Sequence, residues 1–363
     1  MSSQRRYFET FDAFRFFAFF LVFISHLPFP NFPTLAYFQS SGGTGVTFFF
    51  VLSGFLISYL LMEEKRHNAH ISLKHFFIRR VLRIWPLFYL MLAFAYATPY
   101  ILQILGLSSS DEGYSPNWTM SLLFLENYQM IITDSFPNTS PMRVMWSLCI
   151  EEHFYILWGI VFSLMPLRFT PYFIGICIAI ANVARYYFKA HGWNDIDLLT
   201  NIDYFAYGTA AAYVLLYKES LLKQIGRWSK AVIALITTGI LFLVFLYPNI
   251  SYPIWLPASS LGPLFALMIL FTLSEPVKLR ISDRNGLSKM GVYTYGLYLY
   301  HTIVINLLLQ LNKRFGWELD QSWDVLGFTA LALAMTLVIS MASFYLFEKP
   351  FIRLKKYFYP SLR

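Results

Sequence analysis

Charge is scarce in this chain. Of 363 residues only 13% are Asp, Glu, Lys or Arg, and 57% are hydrophobic; a soluble domain carries about a quarter charged residues. Also missing is any hydrophilic stretch long enough to fold separately, because apolar runs recur from residue 14 to residue 347. Those two absences exclude an ordinary soluble protein and override a length-based expectation of two domains. The predicted fold is a single all-α polytopic membrane domain over 1–363. Cysteine is rarer still. Cys149 and Cys177 both lie in apolar runs without ligand spacing, so neither a disulfide framework nor a metal site is expected. No internal repeat or Gly/Ser linker is present, which argues against a transporter built from inverted repeats. No small-residue cleavage site follows the first apolar run, which therefore reads as a retained span.

Basic residues are missing from alternate loops. None occurs over 28–44, whereas Arg5 and Arg6 precede the first span and Lys65, Arg66, Lys74, Arg79, Arg80 and Arg83 follow the second. The formal net charge of +8 is therefore a topology signal and not a nucleic-acid footprint. About ten transmembrane helices are expected, over 14–27, 45–62, 84–105, 142–165, 172–188, 198–217, 231–247, 254–273, 290–311 and 323–347. The segment 118–132 is short and holds Glu126, Asn127 and Gln129, so it reads as re-entrant or interfacial. Both termini are then cytoplasmic, with about 22 of the 28 Lys and Arg on that side. Lys313 and Arg314 are the clearest exceptions.

Ionisable residues inside such spans mark function before structure. The first span holds Arg15 and His26. Eleven steps at 100° return the two side chains to within roughly 20° of one another, about 16 Å apart along the helix. One face thus carries a cation near one end and an imidazole near the other, a polar track through most of a bilayer.

Five stretches, in this order, resemble the integral-membrane acyltransferase-3 family of carbohydrate O-acyltransferases. They are Arg15 and His26 at their Arg-x10-His spacing; Gly45-Val-Thr-Phe-Phe-Phe-Val-Leu-Ser-Gly-Phe-Leu-Ile-Ser58; Phe76-Phe-Ile-Arg-Arg-Val-Leu-Arg-Ile-Trp-Pro86; Trp146-Ser-Leu-Cys-Ile-Glu-Glu-His-Phe-Tyr155; and Tyr298-Leu-Tyr-His301. Where family members often carry an Asp after Gly-Val, this chain has Thr47.

The resemblance implies transfer of an acyl group, acetyl before others, from cytoplasmic acyl-CoA to a hydroxyl of a cell-surface or lipid-linked carbohydrate. Acyl-CoA is then a co-substrate, and no permanently bound cofactor is expected. It also implies a bacterial inner-membrane enzyme. A transporter or flippase for an acyl group or glycolipid is the competing reading. The chain stops soon after its last span, so the acceptor is expected to come to the membrane domain or a separate glycan-assembly partner to relay the group.

Arg79, Arg80 and Arg83 suit the donor's phosphates, since guanidinium matches phosphate oxygens bidentately; their bland reading is topology alone. His26 would act as general base or as a covalent acyl carrier. Arg15, or a serine or backbone donor nearby, would stabilise the developing oxyanion, and Glu151 would orient the imidazole or bind the acceptor, or else form a buried ion pair. Supporting positions are Ser53 and Gly54, where helix packing is an equal expectation, Trp146, Tyr155 and His301. His301 is expected to be a hydrogen-bonded partner in the polar interior, because no second ligand sits at i+4.

Overall fold

The computed structural model describes residues 7–28, 32, 37–104, 106, 116–137, 141–249, 260–274, 279–316, 319 and 321–358. Every regular element among them is helical. The order is α1 (Thr10–Ser25), α2 (Gly42–Asn68), α3 (Leu73–Ile104), α4 (Trp118–Leu122), α5 (Glu126–Thr133), α6 (Met142–Leu164), α7 (Thr170–Ala190) and α8 (Leu198–Tyr217). Then come α9 (Glu219–Gly226), α10 (Lys230–Leu246), α11 (Leu261–Leu273), α12 (Gly286–Gly291), α13 (Thr294–Phe315), α14 (Ser322–Ser343) and α15 (Lys349–Leu354). A π-helical turn, Phe344–Glu348, joins the last two.

Five of the described helices are long and apolar enough to cross a bilayer: Tyr37–Asn68, Leu73–Ile104, Met142–Leu164, Leu167–Ala190 and Ser322–Phe358. The protein is thus an all-helical integral membrane protein. The other expected spans are shorter or more polar. α1 has 16 residues, which at 1.5 Å each gives about 24 Å against a hydrocarbon core of about 30 Å. α10 meets α9 at a 99° bend, and α11 covers 13 residues, the start of its expected span lying outside the described residues. The segment 118–132 forms two pieces of 5 and 8 residues, broken at Phe124 with φ of 58°. Neither piece is long enough to cross.

The bundle is built around α2. It is buried on nearly all sides, against α1, α6, α8 and α11, as a helix apolar all round should be. Its closest approach is to α8, where the two backbones touch. A Cβ at Gly54 would meet the Phe205 carbonyl oxygen at 2.3 Å, and one at Gly208 would meet that of Val51 at 2.1 Å. Only glycine fits both places, so the Ser53-Gly54 pair supplies packing through its second member. The crossing is sealed by polar groups: Ser58 Oγ and Thr209 Oγ1 lie 2.7 Å apart, and Trp158 Nε1 donates to both at 2.9 and 3.1 Å. A stack of Phe205 on Phe154, 3.9 Å between centroids, joins α6 to the same crossing.

α1 is held at both ends. Its first turn is tied to the segment before α12 by Arg280, which donates to Glu9 at 2.5 and 2.7 Å and holds the Glu9 carboxyl below its ordinary range. A Cβ at Gly291 would stand 1.8 Å from the Asp12 carbonyl oxygen, so α12 presses on the turn that carries Asp12 and Arg15. At the other end, a Cβ at Gly42 would stand 2.3 Å from Ser25 Oγ, and mid-helix one at Gly45 would stand 2.5 Å from the Ala18 carbonyl oxygen.

Candidate active site

Two adjoining cavities open between α1, α2, α3, α6 and α13. They share Arg15, Arg83 and Tyr295 as walls. The first, of about 370 Å³, adds Tyr7, Asp12 and Glu348. The second, of about 270 Å³, runs along α2 from Leu60 to Val46 and along α6 from Tyr155 to Ser147. Fourteen steps of α2 make this about 21 Å. It ends at Val46, Phe49, Ser147 and Tyr298.

One helical turn beyond that end, on α13, is His301. It is fully buried, edge-on to Phe19 and Phe23. Its Nδ1 lies 2.8 Å from the Tyr298 carbonyl oxygen, and its Nε2 lies 3.4 Å from His26 Nδ1. His26 Nδ1 in turn lies 2.8 Å from the Val22 carbonyl oxygen. A carbonyl only accepts, so both rings carry their proton on Nδ1. His301 Nε2 therefore offers a lone pair toward His26, and His26 keeps its own Nε2 lone pair uncommitted to this network. Ser25 Oγ donates to Val22 at 2.7 Å and lies 3.3 Å from His26 Nδ1. Neither histidine belongs to the cavity walls. The partition is Tyr298, whose ring centroid is 6.0 Å from both His301 and Phe49.

Arg15 occupies the opposite part of α1. Its Nη1 donates to Asp12 at 2.5 Å, and it faces both cavities. The expected track from Arg15 to His26 is thus a cavity over most of its length and a Tyr298 partition at its end.

The structure divides the other expected site residues. Glu151, Ser53, Tyr155, Arg80 and Arg83 all line the second cavity. Ser53 Oγ donates to Glu151, and the Arg80 guanidinium lies over the Tyr155 ring at 5.7 Å. Glu151 has no hydrogen bond to His26 among those recorded; the group that meets His26 is His301. His26 Nδ1 is thus held by the Val22 carbonyl and faces a second imidazole, not the α6 carboxylate. Arg79 lines neither cavity: its Nη2 donates to Glu64 at 3.3 Å and its Nη1 to the Phe358 carbonyl at 2.6 Å, both side chains being almost fully buried. Its guanidinium holds α2, α3 and the final turn together. Gly54 is a packing residue, and Trp146 is half-buried between two hydrophobic clusters.

Several polar walls escape sequence reasoning. Asp12 and Glu348 are the clearest. Glu348 follows an apolar run and was legible as an ionisable group at a span's end, and the π-helical turn that carries it is a frequent mark of functional positions. Ser147 Oγ, 2.6 Å from Tyr298 Oη, gives no signal of its own.

Comparison with known proteins decides the family. The acyltransferase domain model, Acyl_transf_3, matches residues 8–345. The chain belongs to the acyltransferase-3 family. It is 28% identical over 371 aligned positions to the peptidoglycan O-acetyltransferase OatA of Listeria monocytogenes, covering 95% of this chain and 56% of that protein. It is 32% identical over 125 positions to the putative peptidoglycan O-acetyltransferase YrhL of Bacillus subtilis, covering 33% of this chain and 19% of that one. The O-acetyltransferase OatA of Staphylococcus aureus is 30% identical over 142 positions, covering 38% and 23%. The chain thus spans little more than half the length of the Listeria relative. No solved structure matches it.

Proposed function

We propose that this acyltransferase moves an acetyl group from cytoplasmic acetyl-CoA to a hydroxyl of a cell-surface or lipid-linked carbohydrate, of the peptidoglycan type named for its relatives. The observation that carries the reading is the alignment of a basic-mouthed cavity with the His26–His301 pair one turn beyond its far end. Arg80 and Arg83 take the donor's phosphates by charge-assisted hydrogen bonds. The pantetheine arm follows the channel past Arg15 and Glu151, and the thioester meets His26 at the partition. The topology belongs to the same reading: ten crossings with both termini cytoplasmic place the arginine end on the side where acyl-CoA is made.

His26 Nε2 then accepts the proton of the acceptor hydroxyl as its oxygen attacks the thioester carbonyl. The tetrahedral intermediate collapses with cleavage of the C–S bond, and the imidazolium returns the proton to the departing sulfur. The Val22 carbonyl accepts from His26 Nδ1–H at 2.8 Å and fixes the tautomer, and the His301 Nε2 lone pair, 3.4 Å from the same nitrogen, helps support the transient positive charge. Tyr298 and Ser147 hydroxyls stand at the same end of the cavity and are the nearest walls to hydrogen-bond the developing oxyanion. Arg15, one of the donors the sequence offered for that role beside a nearby serine or backbone group, is paired with Asp12 at the cavity's other end and acts on the donor.

The test is transfer of radiolabel from acetyl-CoA to membrane glycan by wild-type protein. No transfer across several acyl donors and acceptor pools contradicts the reading.

A further inference from the structure

Lys355 is the residue the reaction scheme leaves unused. It opens the last turn, Lys355–Phe358, directly after α15, and is only 7% exposed. The charged groups recorded within its electrostatic range are Arg83, Arg80 and Arg79, all cations. Among the described residues no carboxylate lies within 4.0 Å of it. Two buried carboxylates of the same region are engaged with other groups: Glu64 with Arg79 and Glu348 with Ser343.

The turn is not loosely placed. Arg79 Nη1 donates to the Phe358 carbonyl at 2.6 Å, and the His75 ring lies edge-on to Phe358 at 6.2 Å between centroids. Ile352, one helical turn before Lys355 and on the same side, is a wall of the first cavity, as is Arg83. A cation set among guanidiniums is costly when no carboxylate stands beside it. The arrangement fits a ligand that brings several anionic oxygens.

We propose that Lys355, with Arg80 and Arg83, forms a phosphate-binding site at the basic end of the bundle. The ligand class is a phosphate or diphosphate group, carried by a nucleotide or by an anionic lipid head group. If the nucleotide is the source, this rests on the donor reading above and adds the C-terminal turn to the donor site.

The experiment uses the full chain in phosphatidylcholine nanodiscs and measures binding of coenzyme A, with inorganic pyrophosphate as competitor, for wild type, Lys355→Met and Lys355→Arg. A parallel arm measures binding to phosphatidylglycerol in mixed vesicles. The site predicts about tenfold weaker coenzyme A binding in Lys355→Met, the loss of one charge-assisted contact, with Lys355→Arg close to wild type. It also predicts that ligand-free Lys355→Met melts no lower than wild type, whereas a purely structural lysine would leave it less stable. Lys355-dependent phosphatidylglycerol binding without coenzyme A binding supports the site and overturns the donor reading. Unchanged binding of coenzyme A, pyrophosphate and phosphatidylglycerol in folded Lys355→Met overturns the site itself.

Discussion

His301 Nε2 stands 3.4 Å from His26 Nδ1, while the other ring nitrogen of His301 is held at 2.8 Å by the Tyr298 carbonyl. Two residues 275 positions apart are thus joined edge to face, 5.0 Å between ring centroids. With the Val22 carbonyl 2.8 Å from the same His26 nitrogen, this arrangement leaves Nε2 as the His26 nitrogen that carries a lone pair.

His301→Ala removes the imidazole that faces His26 Nδ1 without touching the cavity walls. Turnover is expected to fall by about 10²-fold, the lower end of what a positioned general base contributes, with the KM for the acyl donor unchanged. Steady-state kinetics in membranes checks this. A raised donor KM with normal turnover would place His301 in donor binding instead.

The arginines of α3 are expected to separate by phenotype. Arg83→Ala removes an exposed cation at the cavity mouth and raises donor KM about tenfold with the fold intact. Arg79→Ala leaves Glu64 buried without its partner, a loss of about 3–5 kcal/mol for a broken buried pair. It is therefore expected to lower the melting temperature or the yield sharply. Donor titrations beside thermal unfolding in detergent distinguish the two.

Gly208→Ala tests the crossing on which the site is mounted. The added methyl would lie 2.1 Å from the Val51 carbonyl oxygen, backbone that cannot move aside as a side chain does. Destabilisation of about 1–3 kcal/mol or more is expected, read as a lower melting temperature. Unchanged stability would mean that α2 and α8 pack less tightly than described.

Much of this was legible in the chain. Arg15, His26 and His301 stand out because imidazole and guanidinium are rare in apolar runs, and their helical spacing already set one face of α1. The α2 motif pointed to close packing through Gly54, and its partner Gly208 lies in a segment whose small residues carry no motif. What the sequence could not show is which groups from different helices meet. Glu151 was the group expected to orient His26, and His301 was expected only as a hydrogen-bonded group of the polar interior, until α6 and α13 were placed; Arg79, Arg80 and Arg83 differ only in the face of α3 they occupy. Crossing number was also under-determined, because α1 and α11 are short for a bilayer.

The most direct test of the account is radiolabel transfer from acetyl-CoA to glycan in membranes holding wild-type protein or His26→Ala at matched expression. The account predicts transfer by wild type and loss of it in His26→Ala, with donor binding largely retained. Wild-type turnover in His26→Ala would contradict it.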